Sequence, residues 1–377
     1  MGPLTGLRVI ELASLAPAPF GCMLLADLGA DVLRIERSSG TPGFVPPPGP
    51  LDRGRTTLSL DLKHPDGVAA LLRLAESADV FVEGFRPGVA ERLGIGPEDL
   101  MRVNQWLVYA RMTGWGQDGP LAQRAGHDIN YIALAGLLEP IGRSGRAPHA
   151  PMNVLGDFAG GGMLMALGIL AALFERSASG RGQVVDAAMV DGASTLTAFM
   201  RGMRAAGMWG APRGQNLLDG GSPFYDTYET SDGQYVAVGC LEPQFFAEMI
   251  EILGLAGPDL PGQFDFARWP ELRRILSETF AQRTRDEWAE TFAGSDACVT
   301  PVLSPWEAPE HPHNLARKSF VTVDDIVQPG PAPRFSRSQP AEPVAADAGG
   351  RDVRATLSAW GLSESEADTL IAAGTVG

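Results

Sequence analysis

Residues 7–35 read LRVIELASLAPAPFGCMLLADLGADVLRI. Leu7 to Leu12 is a short apolar run of strand length, Phe20 to Leu28 has helical spacing, and Gly29 stops it. Asp31 to Ile35 is a second apolar run. Strand, helix, strand in this order predicts two parallel strands joined by a right-handed crossover. The pattern repeats downstream. Leu58 to Leu62 reads as a third strand, Gly67 to Ser77 as a helix capped by Asp66, Asp79 to Val82 as a fourth strand, Pro97 to Trp106 as a helix, and Leu107 to Met112 as a fifth strand. Such alternation predicts a doubly wound α/β domain. No GxGxxG follows the first strand, so a dinucleotide fingerprint is absent.

Beyond the fifth strand the pattern changes. Leu164 to Arg176 reads as an apolar helix within an uncharged run, Phe158 to Phe174. That run is short for a membrane span and holds three successive glycines, so a buried core helix is expected. Gly210 to Gly221 reads as a linker. Tyr228 to Gly239 reads as a hairpin turning at Asp232-Gly233, and helices are expected over Phe245 to Leu255, Trp269 to Phe280 and Arg285 to Phe292. Thr41 to Gly54 and Val327 to Pro343 read as Pro-rich loops, and two weak helical patterns fill Arg351 to Ala373. The expected division is a large α/β domain over 1–186 and 331–377, a linker over 187–224, a small α+β domain over 225–308 and a return linker over 309–330.

Composition removes several function classes. The 377 residues carry 30 Lys and Arg against 45 Asp and Glu, a net charge of −15. No basic face of the kind that binds nucleic acid is visible. The three cysteines, Cys22, Cys240 and Cys298, form no CxxC pair, which fits a reducing compartment and excludes a disulfide framework. Strand-like sequence begins at once, so no signal peptide is expected, and the last residues are not a peroxisomal tripeptide. A cytoplasmic location is therefore expected. His311-Pro312-His313 lacks further metal ligands nearby. No nucleophile elbow, P-loop or HExxH occurs.

The candidate chemistry gathers in three stretches: Gly126-His127-Asp128-Ile129-Asn130-Tyr131, Gly156-Asp157-Phe158 with Gly160 to Gly162, and Glu242-Pro243-Gln244. His127 is suited to taking and returning a proton near neutrality, although a structural histidine beside a glycine turn reads the same way. Asp157 reads as an N-cap, where free N–H groups of the helix could also stabilise an oxyanion. The adjoining glycines would let a ligand approach the backbone. Glu242 reads alone as a solvated loop acid. Arg37, Lys63, Arg86 and Arg92 fall at or beyond strand ends, where open α/β sheets bind ligands. Met189, Met200, Met203 and Met208 form an adaptable apolar stretch.

With these stretches go Pro17-Ala18-Pro19-Phe20, Leu25 to Val32, Glu83 to Gly94, Ala110 to Gln117, Val185 to Gly192 and Asp296 to Val302. Together they cover essentially the whole chain, which resembles the α-methylacyl-CoA racemases, a branch of the family III CoA-transferases. The resemblance implies an interlaced homodimer and an acyl-CoA substrate, with no metal or redox cofactor. It implies that His127, paired to Glu242, and Asp157 exchange the α-proton of a 2-methylacyl-CoA through an enolate. It also implies CoA contacts at Arg37, Leu60, Asp61, Leu62, Lys63, Glu83, Gly84, Phe85, Arg92, Gly126, Asp128, Ile129, Asn130 and Tyr131. The alternative it leaves open is a CoA-transferase in which Asp157 is the nucleophile. A CoA-binding protein without turnover is a third reading.

Overall fold

The computed structural model describes residues 1–37, 49–347 and 352–377; most of the expected Thr41 to Gly54 loop, Pro46-Pro47-Pro48 included, and Arg351 of the tail lie outside the described residues. The chain forms two compact units, one of 1–135, 151–196 and 312–377, the other of 136–150 and 197–311.

The first unit is built on a six-stranded parallel sheet of β1 (Arg8–Leu12), β2 (Asp31–Arg37), β3 (Arg55–Leu60), β4 (Val80–Glu83), β5 (Val108–Thr113) and β6 (Val184–Ala188). Their order is β3-β2-β1-β4-β5-β6. Helix α1 (Pro17–Asp27) joins β1 to β2, α2 (Pro65–Ala75) joins β3 to β4, and α3 (Val89–Arg92) and α4 (Pro97–Val103) lie between β4 and β5. Successive side chains feed opposite faces. Val9, Val80, Val82 and Val108 pack on one face with Leu25 and Ile169, while Ile10, Phe81 and Tyr109 pack on the other with Leu71 and Leu74. Both faces are buried, which explains why the strands read as continuous apolar runs. The expected third strand starts three residues earlier than its apolar core suggested, because Arg55 is buried against Glu11 (Nε–Oε2 2.5 Å). The cap of α2 is His64, whose Nδ1 accepts from the Asp66 N–H at 3.3 Å, and Pro65 opens the helix; Asp66 is therefore a first-turn residue.

After β5 the chain forms α5 (Asp128–Leu134). A π-helical segment, Val154–Met163, then runs without a break into α6 (Leu164–Ser179), and α7 (Met189–Thr195) follows β6. The helix thus begins ten residues before its apolar periodicity becomes visible. The inner face of α6 buries Met165, Ala166, Ile169 and Ala172, while Met163, Leu167 and Phe174 are exposed. The segment and α6 together are long and apolar enough to cross a membrane by length and composition, with 39% of the most apolar window buried.

The second unit holds α8 (Ala198–Ala205) and an antiparallel sheet of β7 (Tyr225–Glu229), β8 (Tyr235–Gly239) and β9 (Val299–Pro301). The sheet packs with α9 (Pro243–Ile252), α10 (Trp269–Phe280) and α11 (Arg285–Thr291) around Phe224, Tyr228, Val236, Phe280 and Trp288. Residues 136–150 belong to this unit, tied to it by Arg143 on Asp226 (2.5 Å) and by Arg213 on Glu139. The chain then returns to the first unit as α12 (Pro312–Arg317), a hairpin of β10 (Phe320–Val323) and β11 (Ile326–Pro329), α13 (Val353–Ala359) and α14 (Glu364–Ala372). The hairpin turns on Asp324 and Asp325, both left-handed (φ 51° and 60°). Residues 312–330, expected as a linker, are thus part of the first unit.

Candidate active site

The sheet order reverses between β1 and β4, since the chain leaves β1 towards β2 on one side and returns to β4 on the other. The loops after neighbouring strands diverge there and leave a crevice. A cleft of about 490 Å³ occupies this position, lined by the loops after β1, β4 and β5 and by Arg37 at the end of β2. Ala16, at the N-terminus of α1 on its wall, has the left-handed φ of 34°, rarely adopted by alanine.

His127 is the N-cap of α5. Its backbone N–H donates to Asn130 Oδ1 at 3.0 Å, which fixes the helix start and leaves the imidazole exposed on the cleft. Asn130 therefore caps a helix. Tyr131 turns inward, its ring edge-on to Trp115 (4.7 Å between centroids) and its hydroxyl donating to the Gly126 carbonyl. Burial and the Asp157 charge push its phenol up to about 12.

Asp157 lines the same cleft, but not as an N-cap. It lies in the first turn of the π-helical segment, whose N-cap is Asn153, and Asn153 Nδ2 donates to its Oδ2 at 3.0 Å. The backbone N–H groups of Gly156 and Asp157 are not free for an oxyanion. Both donate to Asp128 Oδ2, that of Asp157 at 2.8 Å. Nor do Gly160 and Gly162 serve ligand approach. A Cβ on Gly160 would lie 2.7 Å from the Ala193 nitrogen, and one on Gly162 would lie 2.4 Å from the Pro17 carbonyl oxygen. These glycines let α7 and α1 close on the segment that carries Asp157. Burial raises the Asp157 pKa, Asp128 raises it further, and the Asn153 hydrogen bond and His127 lower it. Its pKa thus stands above the ordinary carboxylate value.

Of the expected CoA contacts, Arg37, Gly84, Phe85, Gly126 and Tyr131 line the cleft. Others do not. Leu60 is 1% exposed in the core, and Leu62 packs against the same core. Asp61 accepts from the Lys63 N–H at 3.0 Å, so this stretch is a turn leading to α2. Glu83 is fully buried, bonded to Arg111 Nε at 2.9 Å and to the Phe85 N–H at 2.6 Å, and burial raises its pKa. Asp128 is buried under the site. Ile129, Lys63 and Arg92 are exposed outside the cleft lining. Sequence reasoning missed Arg124, which lines the cleft beside Arg86; an arginine three residues before His127 was the available signal. Among the described residues Arg37, Arg86 and Arg124 have no carboxylate partner. Three guanidiniums with no carboxylate partner among the described residues thus line one cleft, the donor chemistry that matches phosphate.

A sequence model described as CoA-transferase family III matches residues 4–349. The chain belongs to this family. It is 50% identical to α-methylacyl-CoA racemase of Mus musculus over 343 residues, 91% of this chain and 88% of the relative. It is 51% identical to α-methylacyl-CoA racemase of Homo sapiens over 331 residues, 88% of this chain and 86% of the relative. Among solved structures, a CaiB/BaiF family protein from Brucella suis superposes with a TM-score of 0.79 at 26% identity, covering 94% of this chain and 99% of that one.

In this family III chain, Glu242 lies in the second unit, exposed as the N-cap of α9, with no hydrogen bond from its side chain to the helix. Met189 lines the cleft of the first unit, whereas Met200, Met203 and Met208 belong to the second. A wider hollow of about 830 Å³ on the second unit is lined by Arg143, His149, Asp226 and Cys298, and by none of the three expected catalytic residues. Its size does not make it the site, since Arg143 is already paired to Asp226.

Proposed function

We propose that this chain is an isomerase acting as an α-methylacyl-CoA racemase, with the cleft of the first unit as the seat of the chemistry. The observation that carries the reading is that His127 and Asp157, one an imidazole and the other a carboxyl with a raised pKa, line one cleft. The half-identity to racemases over about nine-tenths of the chain supports it. A thioester acidifies the adjacent α-proton. In one direction neutral His127 removes that proton and protonated Asp157 delivers one to the opposite face. In the other, the Asp157 carboxylate removes it and the His127 imidazolium delivers. Each turnover leaves the pair ready for the opposite enantiomer. Arg37, Arg86 and Arg124 would hold CoA phosphates, and the reaction needs no metal or redox group. Glu242, whose side chain has no hydrogen-bond partner among the described residues, is proposed to orient His127 in the assembled enzyme.

Part of the proposal is a homodimer, supported by the exposed Met163, Leu167 and Phe174 face, and a cytoplasmic location. The same Asp157 could serve a CoA-transferase as nucleophile, and its half-buried place on the cleft suits that role too. Incubating one enantiomer of a 2-methylacyl-CoA in deuterium oxide separates the readings. Racemisation with α-deuterium incorporation supports the racemase. Retained configuration, no deuterium and CoA transfer to an added carboxylate would establish the transferase.

A further inference from the structure

Asp128 neighbours His127 in sequence, yet it does not line the cleft. It is 4% exposed. Its Oδ2 accepts from two successive backbone N–H groups, those of Gly156 and Asp157. Its Oδ1 is buried and has no hydrogen-bond partner, and no cation pairs with it among the described residues. Leaving a buried carboxylate oxygen bare is unfavourable, so the arrangement calls for a role. Gly156 shows how closely the contact is built, since a Cβ there would sit 2.7 Å from Asp128 Oδ2.

We propose that Asp128 is a positioning residue of this site: it anchors the backbone that carries Asp157 and imposes an unneutralised negative charge on that carboxyl. The inference rests on the reading of Asp157 as an acid/base group. Two backbone bonds from one carboxylate fix the first turn of the π-helical segment relative to α5, and so fix Asp157 relative to His127. Because Asp128 has no cationic partner, its field reaches Asp157 directly. The other groups that bear on Asp157 are Asn153, which donates to it, and His127, the N-cap of α5; Tyr131 of α5 is itself raised by Asp157 and lowered by Arg86, and α1 and α7, packed on the same segment, bring no charge that shifts Asp157. The direction of the Asp128 influence agrees, since it raises Asp157.

Asp128→Asn keeps an oxygen that can accept from both N–H groups and removes the charge. The Asp157 carboxyl carbon is titrated by NMR in aspartate-labelled enzyme, with the resonance assigned through Asp157→Asn. Its midpoint falls in Asp128→Asn. In the direction where Asp157 removes the proton, the acid limb of the rate profile moves down equally. Affinity for CoA stays unchanged, because Asp128 does not touch the cleft. An unmoved midpoint in a folded variant overturns the proposal, even if turnover drops, since a purely structural residue would do that. Loss of CoA affinity with an unmoved midpoint would return Asp128 to the ligand contacts. The NMR titration needs no turnover, so wild-type enzyme that fails to exchange α-protons would sink the racemase reading without touching this result. If Asp128→Asn does not fold, Asp128→Glu, which retains the charge, should leave the midpoint high while lowering turnover; a lowered midpoint there refutes the field.

Discussion

Gly192→Ala tests whether the Asp157 segment is held by glycine-mediated helix contact. Gly192 lies in α7, and an added Cβ would fall 1.8 Å from the Gly160 carbonyl oxygen and 2.7 Å from the Gly160 Cα. Both obstacles are backbone, so no rotamer change relieves them. Restoring contact distance would push α7 and the segment apart by roughly 1.5 Å. Overpacking in a close-packed core costs about 1–3 kcal/mol, and a backbone-on-backbone clash belongs at the upper end. For a unit of this size that corresponds to a melting-temperature loss on the order of 5–10 °C. Gly168→Ala is the control. Its Cβ would meet only the Val185 Cγ1 methyl at 2.8 Å, the end of a side chain, and the helix propensity gained is worth up to about 1 kcal/mol. Calorimetry should therefore show a large loss for Gly192→Ala and a shift of a few degrees or less for Gly168→Ala. Equal melting temperatures for Gly192→Ala and wild type would refute the argument that these glycines exist for packing.

Two further outcomes follow from the charges. Asp157 has its pKa raised by folding, so between the ordinary carboxylate pKa and the raised one the native state binds more protons than the unfolded chain. Its contribution to stability therefore declines as pH rises through that window. Asp157→Asn should melt higher than wild type at neutral pH, with the gain vanishing below about pH 4, even though it should no longer racemise; thermal melts across pH check this. Arg86→Ala and Arg124→Ala should each weaken CoA binding by about tenfold at low salt, with the difference shrinking as ionic strength rises. Calorimetric titration in two buffers would show it, and affinity unaffected by either change would place the phosphates elsewhere.

The sheet was legible in the sequence because both of its faces are buried. Val9, Ile10, Val80, Phe81 and Val82 are apolar on successive positions and so announce strands directly. The β7–β8 hairpin was legible from Asp232-Gly233, whose glycine is left-handed (φ 73°). The β10–β11 hairpin was not, because its turn uses two aspartates where glycine or asparagine is the usual signal. The π-helical start of the Asp157 helix escaped because its widened turn and four glycines carry no 3.6-residue periodicity. For the site, the family resemblance implied roles for His127, Asp157, Arg37, Phe85 and Tyr131, and all five line one cleft. Sequence reasoning could not separate polar residues that face the cleft from those that hold it. Glu83 and Asp128 look like ligand contacts in the chain, and only their burial and their partners, Arg111 and the Gly156–Asp157 backbone, reveal them as supports.

The measurement that bears most directly on the proposed chemistry is α-proton exchange of each enantiomer of a 2-methylacyl-CoA, followed separately in His127→Ala and Asp157→Asn in deuterium oxide. If the two residues serve opposite faces, neither variant racemises, yet each still exchanges the proton of the one enantiomer that its remaining base can reach, and the two variants choose opposite enantiomers. Exchange of the same enantiomer by both variants, or full racemisation by either, would contradict the assignment of His127 and Asp157 as the two acid/base groups.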